Sequence, residues 1–237
     1  MLTKKNQKFC LELCLGFWIG VAICCFLMVA CRSQSGVAEL ELNVSASVAA
    51  TNLPQNDLRR SNPVISKYVK EMTPEVQESI SGIFLVADES HYGKYRDSSG
   101  KDHGVSGHCH RDSRKICLTA ETVAKWPSVI DHEATHAYHL RLRAEGSDFD
   151  KKWRPGHGIT WYACDAQKTT GDFLEDVAEW VQEVKVCARG EYSEFAYHFH
   201  WNDARRHNLY LLLEYKFVRE AEFLVFLEKN PKATRKP

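Results

Sequence analysis

Two histidines four positions apart, with a glutamate directly after the first, constrain this chain more than any other feature: His132-Glu133-Ala134-Thr135-His136. In a helix, side chains at i and i+4 stack on one face. Both imidazoles can then serve one ion, with the carboxylate beside them. The segment predicts a helix that begins near Pro127, at a first-turn position, and reaches about Ala144, where Gly146 stops it. This is the spacing with which one helix offers two ligands to zinc. A catalytic zinc keeps three protein ligands and one position for water, so a third ligand must come from another segment.

Two candidates stand downstream. Glu175 and Glu179 are four apart in Leu174-Glu-Asp-Val-Ala-Glu-Trp180, hence on one face of a helix predicted over roughly 172–188. One carboxylate can bind the ion while the other accepts the free N–H of a ligand histidine. Glu175 stands thirty-nine positions after His136, which leaves room to lay the second helix beside the first. The other candidate is His157, in the glycine-flanked stretch Pro155-Gly-His-Gly158. The remaining histidines have plainer readings. His139 is a neighbour of the motif and no ligand. His103, His108 and His110 belong to a polar loop, and His200 and His207 to a solvated or aromatic-packed segment.

The surrounding elements follow from caps and periodicity. A short helix is expected over 64–70 and another from Thr73-Pro74 to about Ser81, with Thr as cap and Pro in the first turn. Gly82 to Asp88 reads as a buried strand, and 90–108, rich in Gly, Ser and Asp, as loop. Arg114 to Thr119 is a second strand, whose polar flank suggests an edge position. Residues 147–171 look irregular and aromatic. The apolar spacing of 200–229 is helical, broken into two pieces. The sum is an α+β fold, mostly helical with a small sheet, and no internal repeat is visible.

The N-terminus is a different material. Lys4, Lys5 and Lys8 precede Leu13 to Ala30, eighteen residues without a charge. This is the layout of an export signal, at the lower limit for a spanning helix. It ends in Met28-Val-Ala-Cys31, which resembles a lipoprotein signal with Cys31 as the lipidated residue; the rival is an uncleaved anchor helix. Residues 32–62 read as a flexible tether and 63–237 as the domain. Either anchor places the domain outside the cytoplasm. Four of the nine cysteines lie beyond this segment, and an even number in an oxidising compartment suggests two disulfides. Three pairings are possible; sequence proximity favours Cys109–Cys117 with Cys164–Cys187. With 31 basic and 31 acidic residues, charge gives no argument for a nucleic-acid partner.

The paired motifs, His132-Glu133-x-x-His136 followed by Glu175-Asp-Val-Ala-Glu179, resemble the gluzincin metallopeptidases. The likeness is to compact bacterial members related to the catalytic domain of anthrax lethal factor, and it covers roughly residues 75–190. It implies a zincin-like fold and a zinc-dependent endopeptidase. His132, His136 and Glu175 would be the ligands, Glu179 the partner of a ligand histidine, and Glu133 the general base toward a zinc-activated water. Such enzymes stabilise the oxyanion with a Tyr or His, and Tyr192, Tyr197 and His198 are the candidates. The strand 114–119 falls where such folds add an extended substrate to an antiparallel edge strand. His157 as third ligand would instead resemble the SprT-type zinc proteins. A reading from another class is a surface protein that keeps zinc and fold but binds a partner without cleaving it.

Overall fold

A computed structural model describes residues 57–87, 94–191 and 200–234. The expected export signal, Cys31 and most of the expected tether lie outside the described residues. Helix α1 (Pro63–Lys70) starts at Asn62, whose side chain accepts the Val64 and Ile65 amides. Thr73 caps α2 (Pro74–Ser79) in the same way through the Val76 amide. Both helices carry Pro in the first turn, where its missing N–H costs nothing.

Strand β1 (Gly82–Val86) follows, then a small antiparallel pair, β2 (Tyr95–Arg96) and β3 (Asp102–His103). Strands β4 (Gly107–Cys109) and β5 (Lys115–Thr119) complete a three-stranded sheet with order β1-β5-β4. The stretch 90–108, expected as loop, thus holds β2, β3 and the start of β4. Strand β5 pairs in parallel with β1, in the register Phe84 with Cys117, and antiparallel with β4, in the register His108 with Cys117. It is therefore the central strand, and its expected edge position is overturned. The polar flank that suggested an edge belongs to the turn, where Arg114 takes a left-handed φ of 52°. The antiparallel edge strand is β4.

Helices make up the rest: α3 (Ala120–Lys125), α4 (Val129–Ala144), α5 (Phe149–Lys152), α6 (Trp161–Thr170), α7 (Leu174–Arg189), α8 (Asp203–Glu214) and α9 (Glu220–Lys229). The fold is α+β, with a small mixed sheet. Residues 147–171, expected as irregular, contain α5 and α6. Thr160 caps α6 through the Ala163 amide, and Gly171 ends it at a φ of 71° that suits glycine. Residues 57–62, assigned by composition to the tether, dock on β1: the Leu58 amide donates to the Ile83 carbonyl, and Arg59 reaches the Ile80 carbonyl. Among the described residues no helix is long and apolar enough to cross a membrane.

Helix α4 is the centre of the domain. Ten consecutive residues, Ile130 to His139, are buried on it. A helix buried around its whole circumference normally presents only apolar side chains; this one buries Asp131, His132, Glu133, Thr135, His136 and His139. Each needs a partner. Thr135 donates back to the Asp131 carbonyl. His139 sits against Phe149 and Phe173 with its Nε2 2.6 Å from Asp150, so it is a neighbour of the motif as expected.

Asp131 belongs to a buried ionic cluster. Lys185 on α7, 2 % exposed, lies 3.4 Å from Asp131 and 3.2 Å from Glu222 on α9, and donates to the Glu71 carbonyl behind α1. Arg189 lies 2.8 Å from the other Asp131 oxygen. Burial pushes the Asp131 carboxyl up, and the Lys185 and Arg189 charges pull it back. Removing one member of such a cluster strands the others, at about 3–5 kcal/mol. Lys185→Met should lower the unfolding free energy by about that amount, read as a shift in urea midpoint; a loss below about 1 kcal/mol would show that water reaches the cluster.

The two expected disulfides do not occur: Cys109, Cys117, Cys164 and Cys187 are all free. Cys109 is opposite Ile116 on the sheet face that joins the main core, whereas Cys117 packs with Val86 on the other face. Neighbouring strand residues on opposite faces cannot reach each other. The Cys164 sulfur lies beside Asp176 near Gly158, and Cys187 is eleven positions further along α7. At 1.5 Å per residue this is roughly 16 Å, beyond any disulfide.

Candidate metal centre

Two helices build the site. On α4 the His132 and His136 rings stand one turn apart, their centroids separated by 4.7 Å and their planes by 82°. Helix α7 brings Glu175 to them in its first turn. A clamp sets where α7 begins. Arg143, near the end of α4, grips both oxygens of Asp172 at 2.8 and 2.9 Å, and Asp172 accepts the Leu174 amide. The same guanidinium lies over Phe173.

Glu175 faces both imidazoles. One oxygen is 3.0 Å from His132 Nε2 and the other 3.4 Å from His136 Nε2. The three donor atoms lie within 4.8 Å of one another, the one such group of three among the described residues. Donors about 2.1 Å from a tetrahedral ion are roughly 3.4 Å apart, close to the two separations from Glu175, so the set could hold a metal ion. Electrostatics agree with a site made for a cation. Burial pushes the Glu175 carboxyl up, but the His136 and His132 charges outweigh it and hold the group well below its usual range. Burial likewise presses on the His132 imidazole, and the Glu175 hydrogen bond lifts it to about 10.

The far nitrogen of His132 fixes its orientation. Gln182 Oε1 lies 3.2 Å from Nδ1, and Glu179 lies 3.7 Å away. Glu179 therefore stands beside His132 as expected, but the hydrogen bond goes to Gln182, which Ser128 holds from the other side. Gln182 was legible in principle: it is seven positions after Glu175, on the same face of the helix.

Glu133 is 5 % exposed and outside the ligand set. Burial raises its carboxyl, against the lowering pull of the histidines and a main-chain hydrogen bond from Cys109 on β4. Gly107 on β4 makes room for it; a Cβ there would stand 2.9 Å from Glu133 Oε1 and 2.8 Å from Val129. His108, on the same edge strand, lies near enough to His136 and Glu175 to feel their charge, and burial depresses it to about 4.

His157 is not at the site; its Nδ1 is 3.4 Å from Asn202. Tyr192, Tyr197 and His198 lie outside the described residues. A tyrosine near enough to the centre to feel its charges is Tyr162 on α6. Burial and the charges of Glu175, Glu133 and Glu179 hold its hydroxyl protonated far above the ordinary range. Sequence reasoning missed it because residues 147–171 showed no helical stripe. Comparison of the chain with known protein families, with curated proteins and with solved structures returns no match. What defines the protein here is an α+β fold with a two-histidine, one-glutamate centre that could hold a metal ion.

Proposed function

We propose that the chain is a zinc-dependent endopeptidase of gluzincin type, exported and tethered through its N-terminal segment. One observation carries the reading: residues thirty-nine positions apart, on separate helices, converge as His132, His136 and Glu175 with Glu133 buried beside them. A binding module needs no proton acceptor at that place.

Zinc in such a site supplies Lewis-acid polarisation of a carbonyl and a water acidic enough to react near neutral pH. The residues of the chain do the rest. The Glu133 carboxylate takes the proton released by the attacking water and passes it to the departing amine. The Tyr162 hydroxyl, kept protonated, donates to the oxygen that gains charge. Gln182, with Glu179 next to it, holds the His132 ring in one orientation. An extended peptide adds along β4, the antiparallel edge, in place of the buried β5.

The test is cleavage of a mixed-sequence peptide library by the full chain. Cleavage should require zinc, stop with a chelator and return when zinc is restored. A zinc-loaded protein that leaves every peptide intact would overturn the reading in favour of binding without cleavage.

A further inference from the structure

Glu175 is the second residue of α7, at an end where helices fray. Phe173, at the cap position, offers no side-chain bond to the first turn. Asp172 stands in for the cap, since its Oδ1 accepts the Leu174 amide at 3.2 Å. Asp172 is itself held from α4. Arg143 Nη2 donates to Oδ1 at 2.8 Å, and Nη1 donates to Oδ2 at 2.9 Å. The third nitrogen of the guanidinium, Nε, donates to Asp150 on α5 at 2.7 Å. Asp150 in turn lies 2.6 Å from His139 Nε2.

His132, His136, His139 and Arg143 recur at i, i+4, i+7 and i+11, which is one face of α4. The first two face Glu175, and the last two share Asp150. Arg143 stands two turns beyond His136, roughly 10 Å along the axis, and is not one of the three candidate ligands. Its planar fork holds carboxylates on α5 and at the start of α7 at the same time. A lysine, with one ammonium point, cannot reproduce that grip. Ligands must be held within about 0.5 Å of their working geometry, and a frayed first turn would not hold Glu175 so.

We propose that Arg143 is a positioning residue for the metal centre: through Asp172 it fixes the first turn of α7, so that Glu175 faces His132 and His136 before a metal binds. This rests on the metal-binding part of the reading above. The probes are zinc, and cobalt(II), whose visible absorption reports the geometry of its ligands. Both are titrated into the full chain against a competing chelator. Arg143→Ala should weaken both metals about 10–100-fold and alter the cobalt spectrum. Added guanidinium ion, below denaturing concentrations, should restore both by entering the space left beside Asp172, which solvent reaches in part. Sodium chloride at equal ionic strength should not. Asp172→Asn keeps an oxygen for the Leu174 amide but loses half of the fork; it should give the same spectral change with a smaller loss, and it carries the test if Arg143→Ala does not fold. Asn62→Ala, which removes the cap of α1 and so lowers stability alone, should keep parental affinity and spectrum. Parental binding by the Arg143 and Asp172 variants, a loss that guanidinium leaves in place, or an equal loss in Asn62→Ala would overturn the positioning role while leaving the metal centre standing. Failure of the parent chain to bind either metal would overturn both.

Discussion

Glu133→Gln should leave zinc bound and lower peptide cleavage by about 10²–10⁴-fold, the usual contribution of a positioned general base. The substitution keeps the shape of the side chain and an oxygen that can accept the Cys109 hydrogen bond. It removes only the ability to take a proton. Metal content should not change, because Glu133 is outside the ligand set. Thermal stability should rise or hold, since a carboxylate whose ionised form is penalised by burial becomes a neutral amide. Zinc content, cleavage rate and melting temperature of the same preparation check all three. Full cleavage by the variant would sink the mechanism.

Glu175→Ala should cost far more zinc affinity than the roughly 10–100-fold that loss of an outer partner of a ligand brings. Glu175 is the donor that faces both imidazoles, and it alone brings negative charge to the set. His157→Ala should bind zinc like the parent chain, because that ring keeps company with Asn202. Gln182→Ala should fall between the two, since it only orients His132. Metal analysis after dialysis against a competing chelator ranks the three variants. Zinc lost from the His157 variant and kept by the Glu175 variant would reassign the third ligand.

The helices were readable where local chemistry marks their ends. Asn62-Pro63 and Thr73-Pro74 announce α1 and α2, and Gly190 stops α7. The two halves of the centre were readable because each is a spacing on one helix face. What sequence could not supply was the relation between elements. An Arg just before β5 and a Lys at its start suit an edge, yet Ile116 to Thr119 are buried between β1 and β4. Strand order is settled by tertiary packing, which the polar start of one strand does not report. Cys109 and Cys117 are close in sequence but point to opposite faces, a fact decided by the pairing of His108 with Cys117. Helix α6 was hidden because its large apolar residues do not form a stripe: Trp161 is exposed and Tyr162, next to it, is half-buried.

The Lys185 cluster also bears on the order in which the domain is made. The chain emerges from its N-terminus, and its ligand set is complete at Glu175. The carboxylate of Glu222, which meets Lys185 in the core, comes forty-seven positions later. Without α9, Lys185 keeps only Asp131, which it shares with Arg189, while Arg189 also has Glu71 and Glu191. A chain without α9 thus owns every candidate metal ligand while Lys185 lacks one of its two carboxylate partners. Lys185 on α7 is fully paired only once α9 packs beside it, so the support behind the ligand set depends on a helix that contributes no ligand.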